Sequence, residues 1–136
     1  MKVTDAMTPE VQLCTPDDTL KDAAEAMMAL NVGLLPVTDS DRLVGMITDR
    51  DIAVRGVARG RGPETPVRDV MTQDVKYCFE DQDLDEVTQN MGEIQVRRLP
   101  VVNKDKQLVG IIALGDIARS KPGDGTADAL HQISQP

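Results

Sequence analysis

The chain has 136 residues, with 15 lysines and arginines against 23 aspartates and glutamates and a formal net charge of −8 at pH 7. This acidic balance argues against sequence-independent binding of DNA or RNA, which requires a basic surface. One tyrosine, one phenylalanine and no tryptophan leave few side chains on which single-stranded bases would stack. No apolar run approaches the ~20 residues needed to cross a bilayer, and the N-terminal residues lack the apolar core of a secretory signal. We therefore expect a cytoplasmic protein with reduced cysteines and without nucleic-acid or membrane partners.

The first half of the chain predicts a strand, a helix and a strand hairpin that leads into a second helix. The segment 15–19 supplies a turn and N-cap candidates for the first helix. Apolar residues then follow at helical spacing on one face, and Pro36 favours an edge position for the strand that contains it. The predicted elements are a strand at Val11–Thr15, a helix from Leu20 to a stop at 31–33, strands at Leu34–Thr38 and Leu43–Ile47 joined by a turn at 39–42, and a helix from about Asp49 to Ala58.

The second half repeats the first in sequence. Met7–Thr8 aligns with Met71–Thr72, and the Leu-Pro-Val and Leu-Val-Gly triplets of the first half recur at Leu99–Val101 and Leu108–Gly110. One extra residue lies in the second hairpin turn, where a change of length costs little. The predicted elements are a turn at Val67–Met71, a strand at Val75–Phe79, a helix striped by Leu84, Val87, Met91 and Ile94, strands at Arg98–Val102 and Leu108–Ala113, and a helix at Leu114–Ser120.

Each repeat therefore predicts a β-α-β-β-α unit, an α/β (α+β) architecture in duplicate whose copies are related by a pseudo-two-fold axis. A copy of this size is marginally stable alone, so we expect the two copies to share a core. The predicted organisation is a first domain at 1–58, a linker at 59–66, a second domain at 67–120 and a frayed polar tail at 121–136.

The recurring string Leu-Pro-Val, turn, Leu-Val-Gly, followed by Asp and an apolar residue, resembles the second half of a cystathionine β-synthase (CBS) domain. Asp5–Thr8 and Asp69–Thr72 resemble the segment before the first strand of that domain. The likeness covers about residues 1–120, and it is strongest to small stress-associated proteins built of one such tandem pair. The resemblance implies two clefts that hold adenosine-containing ligands (AMP, ADP, ATP or S-adenosylmethionine) and a homodimer arranged as a flat disc of four domains.

Gly45, Thr48 and Asp51 fit the ribose–phosphate motif of that family. A carboxylate accepts hydrogen bonds from both hydroxyls of a ribose, a threonine hydroxyl donates to a phosphate oxygen, and the free amides of a helix start favour an anion. A glycine lets the strand backbone approach a ligand closely. The same Thr-x-x-Asp spacing is also a capping box, which closes the first turn of a helix. In the second repeat Ala113 replaces the threonine while Asp116 is kept, which favours a ligand role or a relic of duplication; both interpretations of the motif stay open.

Arg97 and Arg98 precede the Leu-Pro-Val triplet of the second repeat. By the resemblance, basic residues here reach the phosphates of a nucleotide whose ribose is held by the other repeat, and a guanidinium offers paired donors to phosphate oxygens. The matching residues of the first repeat are Gly33 and Leu34, which offer no charge. The alternative is a solvated strand edge whose arginines pair with surface acids.

The resemblance also implies which residues hold the adenine, and here aliphatic side chains and strand backbone must serve because aromatics are scarce. The second cleft lacks both a hydroxyl and a cation, so we expect it to be weak, empty or occupied by an uncharged adenosine moiety. Ordinary packing is the alternative for each residue. The implied residues are Val75, Lys76, Val96 and Pro100 in the cleft of Asp51, and Asp116 with Pro36 in the weaker cleft.

No set of residues predicts catalysis. Cys14 and Cys78 occupy matching positions of the repeats, and buried thiols are the simpler interpretation, with a redox link as the alternative. His131 has no second metal ligand near it in the sequence, and neither a nucleophile–base set nor a phosphate loop can be assembled. We therefore expect no enzyme activity, no metal and no required cofactor.

Two functions of different class remain. The first is a regulatory module that binds an adenine nucleotide (AMP, ADP or ATP) between its repeats and signals to an unknown effector protein through a conformational or oligomeric change. The second is a ligand-free homodimeric scaffold or stress-response module, in which the motif residues are helix caps. The complete motif of the first repeat favours the first function, and the degenerate second cleft keeps the second function open.

Overall fold

The computed structural model describes residues 1–9 and 13–120, without the side chains of Asp116, Arg119 and Ser120. Its chain divides into two compact units. The contiguous unit comprises Gln12–Val75, and the split unit combines Met1–Val11 with the segment that begins at Lys76. The segment before Lys76, which opens the second repeat in the sequence, thus belongs to the contiguous unit, and the start of the first repeat belongs to the split unit.

A helix and a strand hairpin are the longest regular elements of the contiguous unit. Helix α1 (Leu20–Leu30) packs against the hairpin of strands β1 (Leu34–Asp39) and β2 (Arg42–Thr48), which run antiparallel. The hairpin turn places Ser40 and Asp41 at φ values of 52° and 68°. Positive φ at both central residues is typical of a type I′ turn, whose twist matches that of paired strands. The predicted elements from 20 to 48 are confirmed to within about a residue.

The chain beyond β2 is helical but irregular. Helix α2 (Asp49–Asp51) follows β2 directly and continues as a π-helical turn (Ile52–Gly56) and a 3-10 turn (Val57–Arg59). The prediction of one regular helix is correct in its extent and wrong in its type. Gly56 is buried, and a Cβ on it would lie only 3.0 Å from Cδ1 of Leu20, so the wide turn sits tightly against α1.

The predicted linker at 59–66 is bonded into the contiguous unit. The N-cap of helix α1 is Thr19, one of the candidates at 15–19, and its hydroxyl accepts the N–H of Asp22 at 3.1 Å. The N–H of Leu20 donates to the carbonyl of Thr65 at 2.9 Å. The first amides of a helix have no partner inside the helix, so this carbonyl supplies an acceptor that α1 otherwise lacks.

The predicted strand at Val11–Thr15 is wrong among the described residues. Cys14 alone pairs, in a parallel bridge to Val37, while 10–12 lie outside the described residues. Pro16 has no N–H with which to continue such pairing, and a turn begins there. The predicted tail at 121–136 also lies outside the described residues.

The split unit repeats the arrangement with a third strand. Strand β3 is parallel to β4, and β4 is antiparallel to β5. The bounds of the last two strands and of the last helix agree with those predicted, because turn residues and apolar runs delimit each of them. The elements are β3 (Cys78–Phe79), α3 (Leu84–Ile94), β4 (Arg98–Val102), β5 (Leu108–Ala113) and α4 (Leu114–Ser120).

Buried apolar side chains form two clusters among the described residues, one in each unit. The repeats therefore do share core residues, as expected, but in two clusters rather than one. Each unit completes its core with the segment that opens the other repeat. That segment supplies the buried apolar area that a single repeat lacks. The contiguous cluster includes Cys14, Leu20, Met27, Ile47, Val67 and Val70, and the split cluster includes Val3, Ala6, Cys78, Leu84, Met91 and Ile112.

In the contiguous unit the segment after the 3-10 turn at Val67–Asp69 crosses β2 at a glycine. Thr72 and Met46 exchange two backbone hydrogen bonds, of 2.8 and 2.9 Å. A Cβ on Gly45 would lie 2.8 Å from the sulfur of Met71 and 2.9 Å from the carbonyl oxygen of Thr72. The crossing is thus closer than any side chain at Gly45 would permit.

The split unit contains the same crossing. Thr8 and Ile111 exchange backbone hydrogen bonds of 2.8 and 3.0 Å, after a 3-10 turn at Val3–Asp5. A Cβ on Gly110 would lie 2.7 Å from the carbonyl oxygen of Thr8 and 2.9 Å from the sulfur of Met7. Each Met-Thr segment therefore packs on strands that belong to the other repeat of the sequence.

Candidate functional site

Thr48 and Asp51 form the capping box that their spacing predicts. The N–H of Asp51 donates to Oγ1 of Thr48 at 3.0 Å, and the N–H of Thr48 donates to Oδ2 of Asp51 at 3.1 Å. Thr48 is the last residue of β2, so the box fixes the junction between strand and helix. The capping interpretation is confirmed, and a ligand role has to use the acceptor positions that the box leaves free.

The two oxygens of the Asp51 carboxylate have different neighbours. Oδ2 accepts the N–H of Thr48 and, at 3.5 Å, the hydroxyl of Thr72. Oδ1 lies 3.9 Å from Nε of Arg55, and the Asp51 side chain is 13 % exposed. An ionised carboxylate has about four acceptor positions. Oδ2 therefore serves the protein, and Oδ1 keeps acceptor capacity for an incoming hydroxyl.

Arg55 is the cation next to this carboxylate. Its Nη1 donates to the carbonyl of Met71 at 3.4 Å, and its side chain is 47 % exposed. The π-helical turn at Ile52–Gly56 carries this arginine, and such turns occur frequently at functional sites. Arg55 thus places spare guanidinium donors within the contiguous unit, close to Asp51.

The other predicted residues of the contiguous unit have structural explanations of their own. The close crossing of 71–72 accounts for Gly45 without a ligand. Pro36 is buried in β1, and its carbonyl accepts the N–H of Cys14 at 3.0 Å. Val75 is half-buried, and its N–H donates to the carbonyl of Gln73 at 3.0 Å. Their part in holding an adenine stays a prediction.

In the split unit the backbone of Arg97 and Arg98 lies beside the start of α4. Arg98 is paired with Ala113, and the carbonyl of Arg97 accepts the N–H of Leu114 at 3.0 Å. Both arginines are exposed, whereas the side chain of Asp116 in α4 is not described. The remaining predicted residues of this unit are Val96, half-buried against its core, Pro100, buried in β4, and Lys76, which is exposed.

Both cysteines are free and buried, which confirms the simpler interpretation. Burial raises the pKa of Cys78 from 9.0 to about 12. Burial, together with the carboxylates of Asp18 and Asp22, raises the pKa of Cys14 from 9.0 to about 11. The thiolate is the reactive form of cysteine, so neither side chain is poised for redox chemistry at neutral pH.

Within the part of the chain that the structure describes, no group of three or more His, Cys, Asp or Glu side chains is placed to hold a metal ion. His131 lies outside that part. None of the helices described has the length and apolar character needed to cross a bilayer.

Thr72 and Arg55 contact Asp51 but were not singled out from the sequence. The signal for Thr72 was the recurrence of Met-Thr in both repeats, yet its meaning depends on a crossing between residues far apart in the chain. Arg55 stands four residues after Asp51, the spacing at which charged side chains on a helix meet. That spacing was readable in the sequence.

Comparison with known proteins identifies the repeat. The family model of the CBS domain matches the chain twice, at 3–56 and 67–123. The CBS domain-containing protein YhcV of Bacillus subtilis is 42 % identical over 133 residues, which cover 97 % of this chain and 94 % of that protein. Hypoxic response protein 1 of Mycobacterium tuberculosis is 37 % identical over 134 residues, which cover 97 % of this chain and 93 % of that protein.

Solved structures agree with the sequence matches. Hypoxic response protein I, solved with two coordinated zinc ions, has a TM-score of 0.80 at 37 % identity and covers 90 % of this chain and 100 % of its own. CBSX2 in complex with AMP has a TM-score of 0.77 at 29 % identity, and the match covers 88 % of this chain and 94 % of that chain. The CBS domain pair of MJ0100, with 5′-methylthioadenosine and S-adenosyl-L-methionine, has a TM-score of 0.74 at 28 % identity (88 % and 94 %). This chain therefore belongs to the CBS domain family and carries two CBS domains in tandem.

Proposed function

We propose that this chain is a regulatory module that binds an adenine nucleotide (AMP, ADP or ATP) as a ligand and leaves it chemically unchanged. Asp51 is the residue that recognises the ribose. Binding changes the conformation or the association of a cytoplasmic homodimer, and an effector protein responds to that change. A ligand produces such a change to the extent that it prefers one arrangement over the other.

The observation that carries this proposal is that the two carboxylate oxygens of Asp51 have different roles. A residue that only caps a helix needs one oxygen, and here Oδ2 performs that task. Oδ1 remains as an acceptor on a carboxylate that is 13 % exposed. Ribose hydroxyls are donors of the kind such an oxygen binds. In the second repeat Ala113 cannot form the corresponding box, so the two repeats are unequal.

Solved relatives support the choice of ligand. A CBS protein with this fold was solved with AMP, and another with 5′-methylthioadenosine and S-adenosyl-L-methionine. All three compounds contain adenosine, so the shared chemistry is an adenine attached to a ribose. The scarcity of aromatic residues in this chain is compatible with adenine contacts made by aliphatic side chains and strand backbone.

Calorimetric titration of AMP, ADP and ATP into the purified chain tests the proposal. We expect saturable binding to the wild type and to Asp116→Ala, and none to Asp51→Ala. Analysis of the nucleotide after incubation should recover it intact, and light scattering with and without nucleotide reports the state of association. The absence of binding by all three nucleotides and by S-adenosylmethionine at millimolar concentration would overturn the proposal.

The sequence-based role of Arg97 and Arg98 is tested in the same assay. If they provide positive charge to the phosphate, Arg97→Ala and Arg98→Ala will weaken binding of AMP more than binding of adenosine. Equal losses for both ligands would contradict that role. Lys104→Ala is a control that removes an exposed positive charge of the same unit.

A second candidate function is a ligand-free homodimeric scaffold of the stress-response type. It is favoured by the capping box and the crossing at Gly45, which explain both motif residues and the glycine by internal contacts. The contiguous unit also exposes the apolar side chains of Met28 and Val57. A stable dimer that binds none of the adenosine compounds would favour this function.

A further inference from the structure

We infer that Thr72 is a positioning residue for Asp51: its hydroxyl holds Oδ2, so that Oδ1 is kept for the ribose. This inference deepens the proposed function and rests on it. Its starting point is the contact of Oγ1 of Thr72 with Oδ2 of Asp51, at 3.5 Å between two half-buried side chains.

The carboxylate needs such a partner because its own torsion is loosely defined. The last torsion of an aspartate has a broad, two-fold distribution, so the two oxygens exchange places easily unless hydrogen bonds distinguish them. The N–H of Thr48 supplies one such bond to Oδ2, at 3.1 Å. The hydroxyl of Thr72 supplies a second bond to the same oxygen. Both of these donors lie on Oδ2, whereas Oδ1 faces Nε of Arg55 at 3.9 Å, and together these contacts select one orientation of the group.

The backbone of Thr72 is fixed well enough to serve as a reference point. It exchanges two hydrogen bonds with Met46, of 2.8 and 2.9 Å, and the residue before it packs over Gly45. The carbonyl of that residue, Met71, also accepts Nη1 of Arg55 at 3.4 Å. The segment therefore contacts Oδ2 of Asp51 through Thr72, and it contacts Arg55, the neighbour of Oδ1, through Met71.

The test uses a hydroxyl deletion with matched ligands. Thr72→Val keeps the shape of the side chain and removes the donor, Thr72→Ser restores the donor, and Thr8→Val makes the same change at the equivalent crossing of the split unit. Affinities are measured for AMP and for its 2′,3′-dideoxy analogue, which lacks the hydroxyls that Asp51 would bind. Thermal unfolding of each variant confirms that it is folded.

We expect Thr72→Val to bind AMP about tenfold more weakly than the wild type, as the loss of a hydrogen bond to a charged group implies. Its affinity for the dideoxy analogue should equal that of the wild type. Thr72→Ser should recover most of the AMP affinity, and Thr8→Val should match the wild type. A residue with only a structural role would lower both affinities equally.

Three results would overturn the inference. They are unchanged AMP binding by Thr72→Val, equal losses for the two ligands, and failure of Thr72→Ser to recover binding. In each case the wild type still binds AMP, so the proposed function survives. A wild type that binds no adenosine compound overturns the proposed function and this inference together.

Discussion

Thr8 and Ile111 are joined by two backbone hydrogen bonds, of 2.8 and 3.0 Å, although they belong to different repeats of the sequence. Thr72 and Met46 make the equivalent pair, at 2.8 and 2.9 Å. Each set of strands thus receives the Met-Thr segment of the other repeat. The packed units consequently differ from the sequence repeats by an exchange of their opening segments.

The N-terminal segment should be essential to the stability of the split unit. Val3 is fully buried in its core, and the N–H of Val3 donates to the carbonyl of Gln82 at 3.1 Å. We expect Val3→Ala to lower the free energy of unfolding by about 2 kcal/mol, measured by urea denaturation. Val54→Ala, at a position 46 % exposed, should change it by less than about 0.5 kcal/mol. Equal effects of the two variants would contradict the assignment of Val3 to the core.

The crossings should not tolerate a methyl group on their glycines. In Gly45→Ala and Gly110→Ala the new Cβ would approach a backbone carbonyl to 2.9 and 2.7 Å, so the crossing segment must shift. We expect each variant to lose about 1–3 kcal/mol of unfolding free energy. Gly62→Ala is the control, because no atom lies within 4 Å of its added Cβ. Wild-type stability of Gly45→Ala would show that the crossing is looser than described.

The capping box should contribute to stability independently of any ligand. Thr48→Ala removes the acceptor of the Asp51 N–H, and we expect a loss of about 1 kcal/mol. Asp51→Ala should cost a similar amount, and the double variant should cost less than the sum, because the two bonds belong to one box. Chemical denaturation of the four proteins without nucleotide measures this coupling. Strict additivity would argue against a reciprocal box.

The buried thiols predict how stability depends on alkaline pH. In the folded chain the pKa is about 11 for Cys14 and about 12 for Cys78, so each thiol keeps its proton well above pH 9. In the unfolded chain both thiols have the ordinary pKa of 9.0. Between these values the folded state binds more protons, so the free energy of unfolding falls as the pH rises. This contribution is fully present below pH 9, and its slope is at most about 1.4 kcal/mol per pH unit and thiol.

The thiol contribution is isolated by denaturation at several pH values between 8 and 10.5. The wild type is compared with the double variant that combines Cys14→Ala and Cys78→Ala. The double variant should show a shallower decline than the wild type, whatever its absolute stability. Parallel declines would mean that other titrating groups account for the loss of stability at high pH.

Local patterns in the sequence were sufficient for most elements of the fold. Helix α1 begins after the predicted N-cap candidates at 15–19 and ends at the predicted stop at 31–33, because capping residues and helix breakers are local signals. Periodicity did not reveal the π-helical turn at Ile52–Gly56, because five residues make about one turn, too few for the spacing of apolar residues to distinguish it from an α-helix. The prediction of a strand at Val11–Thr15 was wrong because a strand also needs a pairing partner. Its residues favour a strand, yet among the residues described only Cys14 is paired.

The local part of the site was predictable from the sequence, and the contacts between distant residues were not. Thr48 and Asp51 are three residues apart, so their box is legible from spacing alone. The contact of Thr72 with Asp51 joins residues far apart in the chain, and no local pattern encodes it. The sequence also did not reveal the structural reason for Gly45. Met71, which is distant in the chain, occupies the space that a side chain on Gly45 would fill.

The exchange of opening segments has a consequence for the ancestry of the duplicated chain. A polypeptide of one repeat would present its Met-Thr segment to the strands of a second molecule, as each repeat here presents it to the other, and two such molecules would complete one another by swapping. Fusion of two gene copies makes that swap intramolecular, and the completeness of each lobe no longer depends on protein concentration.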